Sequence, residues 1–115
     1  MARPITDLER TLIARMIERL PTDQQASLMN DLALATAEPL NDDDSIIELM
    51  IEGYQRPRLS GRNVLPVDGI VKDADGAHIE LILFSDENDR LFEFEIVRYG
   101  DGSVIGPDWG ALEFR

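Results

Sequence analysis

The chain has 115 residues and 12.9 kDa, with 11 Lys and Arg against 23 Asp and Glu, a formal charge of −12 and a pI near 4.3. That length supports one domain, because two need roughly 200 residues, and 43% hydrophobic residues beside 30% charged argue against a disordered chain. The charge argues against nucleic acid and anionic membrane surfaces, which bind through Lys and Arg, and the absence of cysteine removes disulfides, thiolate catalysis and Cys-ligated zinc.

Thr6 and Glu9 have the spacing of a capping box, and Leu8, Leu12, Ile13, Met16, Ile17 and Leu20 follow at helical spacing. A first helix is therefore expected over about 6–20, stopped by Pro21. Thr22 to Gln25 repeats the box and starts a second helix over about 23–35, with Leu28, Met29 and Leu32 on its apolar face. After Pro39 the pattern changes to period two. Strands are expected over about 46–52, 64–73, 77–84 and 90–99. The second should be bent, bulged or at an edge, because it contains Pro66 and Gly69. Asp73-Ala74-Asp75-Gly76 reads as a hairpin turn. The expected fold is one α+β domain, residues 1–115, with an N-terminal helical hairpin packed on a four-stranded antiparallel β-meander.

The N-terminal ten residues have no apolar core of a secretory signal, and no apolar run approaches a membrane span, so a cytoplasmic protein is expected. His78, the only histidine, lies beside a hairpin turn with no partner suggesting acid–base work, so it reads as an exposed strand-end residue. Asp42-Asp43-Asp44 and the DADG turn lack the alternating ligands, central Gly and later Glu of a calcium loop, and no metal or cofactor is expected. Arg56, Arg58 and Arg62 form the one basic cluster, more economically paired with the protein's own acids than with a phosphate.

By strand parity Phe92, Phe94 and Ile96 point inward. One outer face then carries Glu48, Met50, Glu52, Glu80, Ile82, Phe84, Leu91, Glu93, Glu95, Val97 and Tyr99. Acids mixed with large apolar groups suit a protein interface. The alternative is that the tail with Trp109 and Phe114 folds over this face.

Three stretches taken together, RPITDLERTLIARMI, DADGAHIELILFSDENDRLFEFEIVRYGDGS and the segment after Pro107, resemble a family of small uncharacterised bacterial α+β domains. The carrying residues are Leu91, Glu93, Glu95, Ile96, Arg98 and the Gly100–Gly102 turn, and the family brings no catalytic residue with it. The chain is also similar in kind to immunity proteins of bacterial toxin–immunity pairs, as in contact-dependent growth inhibition. That likeness implies a non-enzymatic protein that binds a cognate, basic, nuclease-type toxin. Asp42, Asp43, Asp44, Asp86, Glu87 and Asp89 in acidic loops, with Glu80, Glu93 and Glu95 on the outer face, would supply steering and charge pairing. Phe84, Tyr99 and Trp109 would be anchors. The competing expectations are a domain that self-associates through its sheet, a small-molecule site built on His78 or the Arg loop, and a DNA mimic.

Overall fold

A computed structural model describes residues 2–115 of the chain. The first helix, α1 (Asp7–Ile17), opens with the expected reciprocal cap: the Glu9 amide donates to Thr6 Oγ1 at 3.1 Å, and the Thr6 amide donates to Glu9 Oε1 at 2.9 Å. Leu12, Ile13, Met16 and Ile17 are buried, whereas Leu8 stays exposed. The second helix, α2 (Thr22–Ala33), has no side-chain cap. Gln25 instead donates to the carbonyls of Glu18 and Leu20, which closes the joint between the helices. Leu28 and Leu32 face the core, and Met29 is exposed.

Seven strands build one antiparallel sheet: β1 (Arg3–Pro4), β2 (Ala35–Pro39), β3 (Ile46–Ile51), β4 (Arg62–Lys72), β5 (His78–Asp86), β6 (Leu91–Arg98) and β7 (Glu113–Phe114). Their order across the sheet is β1-β2-β3-β6-β5-β4-β7. This corrects the expected helical hairpin on a four-stranded meander. The four expected strands are present with ends shifted by one or two residues, but three more flank them. The helices do not precede the sheet: they connect β1 to β2, two strands that pair with each other. Nor is β3 followed in space by β4, since it lies beside β6.

The physical reasons are specific. Ala35–Pro39 looks like a helix end by composition, yet Leu34 terminates α2 and all five residues then pair with β3, from Ala35↔Ile51 to Pro39↔Ile47. Long-range pairing outweighs the local preference of alanine. Strands of two residues, such as β1 and β7, are too short for any periodicity to announce.

The helices cover one face of the sheet, α1 against β4 and α2 against β3 and β6. That face presents Ile47, Leu49, Ile51, Val71, Ile79, Leu81, Leu83, Leu91 and Phe94 to the helical stripes. β4 has the anticipated irregularity, a register shift between Val64 and Asp68 that spans Pro66. A second one lies in β6, where Phe84 pairs with Glu93 but Ser85 pairs with Leu91. The extra residue inverts parity for part of the strand. Leu91, expected outside, is buried on the helix side, and Phe92, expected inside, turns outward beneath Arg56.

The tail does not cross the outer face. Asp73 accepts from the amides of Ile105 at 2.9 Å and Gly106 at 2.8 Å, which fixes where the tail leaves the sheet. Phe114 then pairs with Gly69 at the β4 edge and lies beneath the guanidiniums of Arg15 on α1 and Arg19 in the turn after it. No helix among the described residues is long and apolar enough to cross a membrane.

Candidate functional site

Among the described residues no helix or strand packs over the centre of the face opposite the helices, and strand pairing sets its side chains in rows. Glu38, Glu48 and Glu93 follow one another across β2, β3 and β6, continued by Phe84 and Val64. The next row is Ile46, Glu95, Ile82 and Asp68, and the one after it Val97, Glu80, Ile70 and Glu113. The first row sets three carboxylates side by side ahead of its apolar members and the other two alternate them, seven carboxylates in all, against Arg62 and Lys72 from β4 and Arg56 from the loop above.

Glu93 is only 4% exposed because Arg62 reaches across the sheet to it, donating from Nη1 to Oε2 at 2.7 Å. The same guanidinium lies 4.8 Å from the centre of the Phe84 ring, which is why this outward-facing phenylalanine is buried. Glu95 is 3.8 Å from Arg62. Burial and the neighbouring Glu93 charge push the Glu95 carboxyl above the ordinary carboxylate range, and Arg62 only partly offsets them. Glu80 accepts from the Tyr99 hydroxyl at 2.6 Å, which raises the Tyr99 phenol and keeps its exposed ring against His78, 5.6 Å away.

The two acidic turns bound opposite ends of the sheet, because 41–45 precedes β3 and 87–90 precedes its antiparallel neighbour β6. With β6 8 residues long they stand about 25 Å apart. In the first, the Asn41 side chain holds Ser45 Oγ and the Ile46 amide, leaving Asp42, Asp43 and Asp44 exposed. Asp43 caps the Ser45 amide and Asp44 reaches Arg3 at 3.5 Å. In the second, Glu87 and Asp89 are exposed, but Asp86 is fully buried. Asp86 accepts from Tyr54 Oη at 2.7 Å, Arg56 Nε at 3.0 Å, and the amides of Asn88 at 2.8 Å and Arg90 at 3.0 Å. Burial opposes its ionisation, and these donors together outweigh it and hold the carboxyl below its usual range. It is a post for the turn and has no lone pair left for a partner. Trp109 lies on the helix side, where its carbonyl accepts from Arg15 at 3.2 Å, so it shares no surface with Tyr99.

Arg56 pairs with the protein's own acids, as its context suggested. It donates to Asp86, to Glu48 at 2.9 Å, and to the carbonyls of Leu49 and Leu91, and it stacks 4.1 Å from the Phe92 ring centre. The loop that carries it must pass across the ends of β6 and β5, since β4 lies beyond both. Two further buried posts escaped the reading of the sequence. Asp31 receives a forked Arg90 and the Leu91 amide, which ties α2 to β6. Its position between Leu28 and Leu32 on the apolar stripe is the signal that was there to be seen. Asp73 receives Arg98 beside the tail amides, and nothing in a hairpin-turn sequence marks that role.

Two grooves touch the residues a small-molecule site would need. One of about 520 Å³ runs between the end of the β4–β5 hairpin and the tail, lined by Ile70, Lys72, His78, Ala111 and Glu113 among others. It offers His78 no hydroxyl or thiol to activate. The other, about 360 Å³, lies under the Arg loop between Met50, Phe92 and Arg58, and the Arg56 it contains already spends four of its five donors on the contacts above.

Residues 2–106 match the model of the family described as Domain of unknown function (DUF6984). No curated protein and no solved structure matches the chain. The match takes in both helices, six of the seven strands and the tail residues fixed by Asp73, and the chain belongs to the DUF6984 family.

Proposed function

We propose that this protein is a non-catalytic binding domain of the immunity kind, which receives a basic, nuclease-type toxin on the open face of its sheet and neutralises it by occupying that surface. The observation that carries the reading is the open face itself, with seven carboxylates interleaved with Ile46, Ile70, Ile82, Val97 and Tyr99 and acidic turns at both ends. A partner covering about 800 Å², roughly 28 Å on a side, spans the distance between the two turns. The field of a −12 chain steers a basic surface toward it. On this reading the protein acts in the cytoplasm by binding alone.

The competing reading, self-association through the sheet, is opposed by two features. The outermost strands have two residues each, β1 containing Pro4, and the stretch of β4 that β7 leaves uncovered, 62–67, is broken by Pro66 and the register shift, so neither side offers a long regular template for pairing. Two copies of the open face would set like charges against each other. The test is co-expression with each basic domain that an adjacent gene is found to encode. Toxicity of that domain alone, rescue by the wild-type protein and a one-to-one complex are expected. Glu80→Lys with Asp68→Lys should slow association about tenfold at low salt, with the difference shrinking at 0.5 M salt. A clean homodimer with no basic partner would contradict the reading.

A further inference from the structure

Arg62 holds an unusual position for an ion-pair partner. Its guanidinium is half exposed, yet the carboxylate it serves, Glu93, is 5% exposed, and the aromatic ring below it, Phe84, is 7% exposed. Among the described residues only its Nη1 is engaged, on Glu93 at 2.7 Å and more distantly on Glu95 at 3.8 Å. One planar cation therefore sits as a cap on a recess with an aromatic floor and two carboxylates on one wall. Aromatic faces and carboxylates together bind guanidinium better than ammonium, because the flat ion stacks and donates in its plane at once. Arg56 shows the contrasting arrangement: buried, with Nε, Nη1 and Nη2 all donating, it cannot be exchanged without dismantling the loop.

We infer that the Phe84–Glu93–Glu95 recess is a guanidinium subsite, occupied in the free protein by the chain's own Arg62 and taken over by an arginine of the basic partner. The inference rests on the binding reading above and names the side chain that the open face takes. Removing Arg62 uncovers Glu93 and the Phe84 ring together, leaving a carboxylate and an aromatic face side by side without the cation that engaged both, and a planar cation that replaces it regains both contacts. The second carboxylate adds to that pull. Glu95 is desolvated and stands next to Glu93, so a single half-exposed guanidinium under-compensates the pair. Ile82 and Val97, which flank Glu95 and Glu80 in the strand rows, supply apolar contact for the stem of an incoming arginine.

The signs of the two readings of Arg62 are opposite, which makes the test direct. If Arg62 is a resident competitor, removing it tightens binding of arginine; if it only braces the sheet, removing it leaves binding unchanged or weaker. Hexa-arginine and hexalysine peptides are the probes, titrated into the full chain with amide and Glu carboxyl shifts read by NMR. Arg62→Gln, which keeps part of the stem over Phe84, is expected to bind hexa-arginine about tenfold more tightly than wild type and hexalysine much less so. The largest shifts should fall at Phe84, Glu93 and Glu95. Arg62→Lys, which keeps the charge and the pairing with Glu93, is expected to fall between the two. Adding Glu93→Gln to Arg62→Gln should abolish the gain. Equal or weaker binding of hexa-arginine by both Arg62 variants, or a gain that is the same for hexalysine, overturns the proposal. If Arg62→Gln gains arginine affinity but no toxin partner exists, the subsite stands and the toxin reading falls. If the toxin binds but both variants weaken it, the reading stands and the subsite falls.

Discussion

Three aspartates, Asp31, Asp73 and Asp86, lie at or below 4% exposure in a protein whose acids are otherwise mostly outside. Each accepts a guanidinium together with one or more main-chain amides, so each fixes a segment that would otherwise be held only by packing. The carboxylates of one short run therefore serve two purposes. Asp86 anchors Tyr54, Arg56 and the β5–β6 turn, while Glu87 beside it is exposed. Asp86→Ala should cost about 3 kcal/mol or more, because it leaves the buried Arg56 without its main partner. Glu87→Ala should stay within about 0.5 kcal/mol of wild type. Urea unfolding of the two proteins checks the contrast, and equal midpoints would contradict the role given to Asp86.

At the scale of elements, the β6 irregularity decides which side chains reach the open face, whereas the one in β4 leaves Val64 and Asp68 on the same side. The β4 irregularity was legible, because Pro66 removes a donor and Gly69 lacks a side chain. Gly69 has a further reason for being glycine: a Cβ there would stand 3.1 Å from Leu81 Cβ and 3.2 Å from its Cγ and Cδ1. Gly69→Ala should accordingly cost about 1–2 kcal/mol by crowding the core beside Phe114, read as a lowered Tm. An unchanged Tm would mean that Leu81 shifts freely. The β6 irregularity was not legible. Leu91-Phe92-Glu93-Phe94 reads as a regular alternation, and only pairing with β5 shows that Phe92 and Glu93 both turn outward. The α1 cap was visible in Thr6 and Glu9 because capping is local. The pairing of Ala35–Pro39 with β3 was not, because the Ala-Thr-Ala-Glu alternation is short, carries only alanine on its apolar side and follows directly on a helix. Strand pairing sets Glu80, Glu93, Glu95 and Tyr99 on one face, which period-two spacing makes legible, whereas Trp109 lies on the helix side, where no local pattern could place it.

For the whole molecule, the sheet divides the protein into a covered side and an open one. Helices and tail are on the first, where apolar side chains and the cation-backed Phe114 complete the core. The second holds rows of carboxylates bounded by turns that carry Asp42, Asp43, Asp44, Glu87 and Asp89. Shift mapping of the isotope-labelled protein in complex with its basic partner, at low salt, tests this division most directly. Perturbations centred on Glu80, Glu95, Val97 and Tyr99 and extending into both acidic turns are the expected result. Perturbations confined to α1, α2 and the Trp109 segment would place the partner on the covered side and contradict the open face as the binding surface.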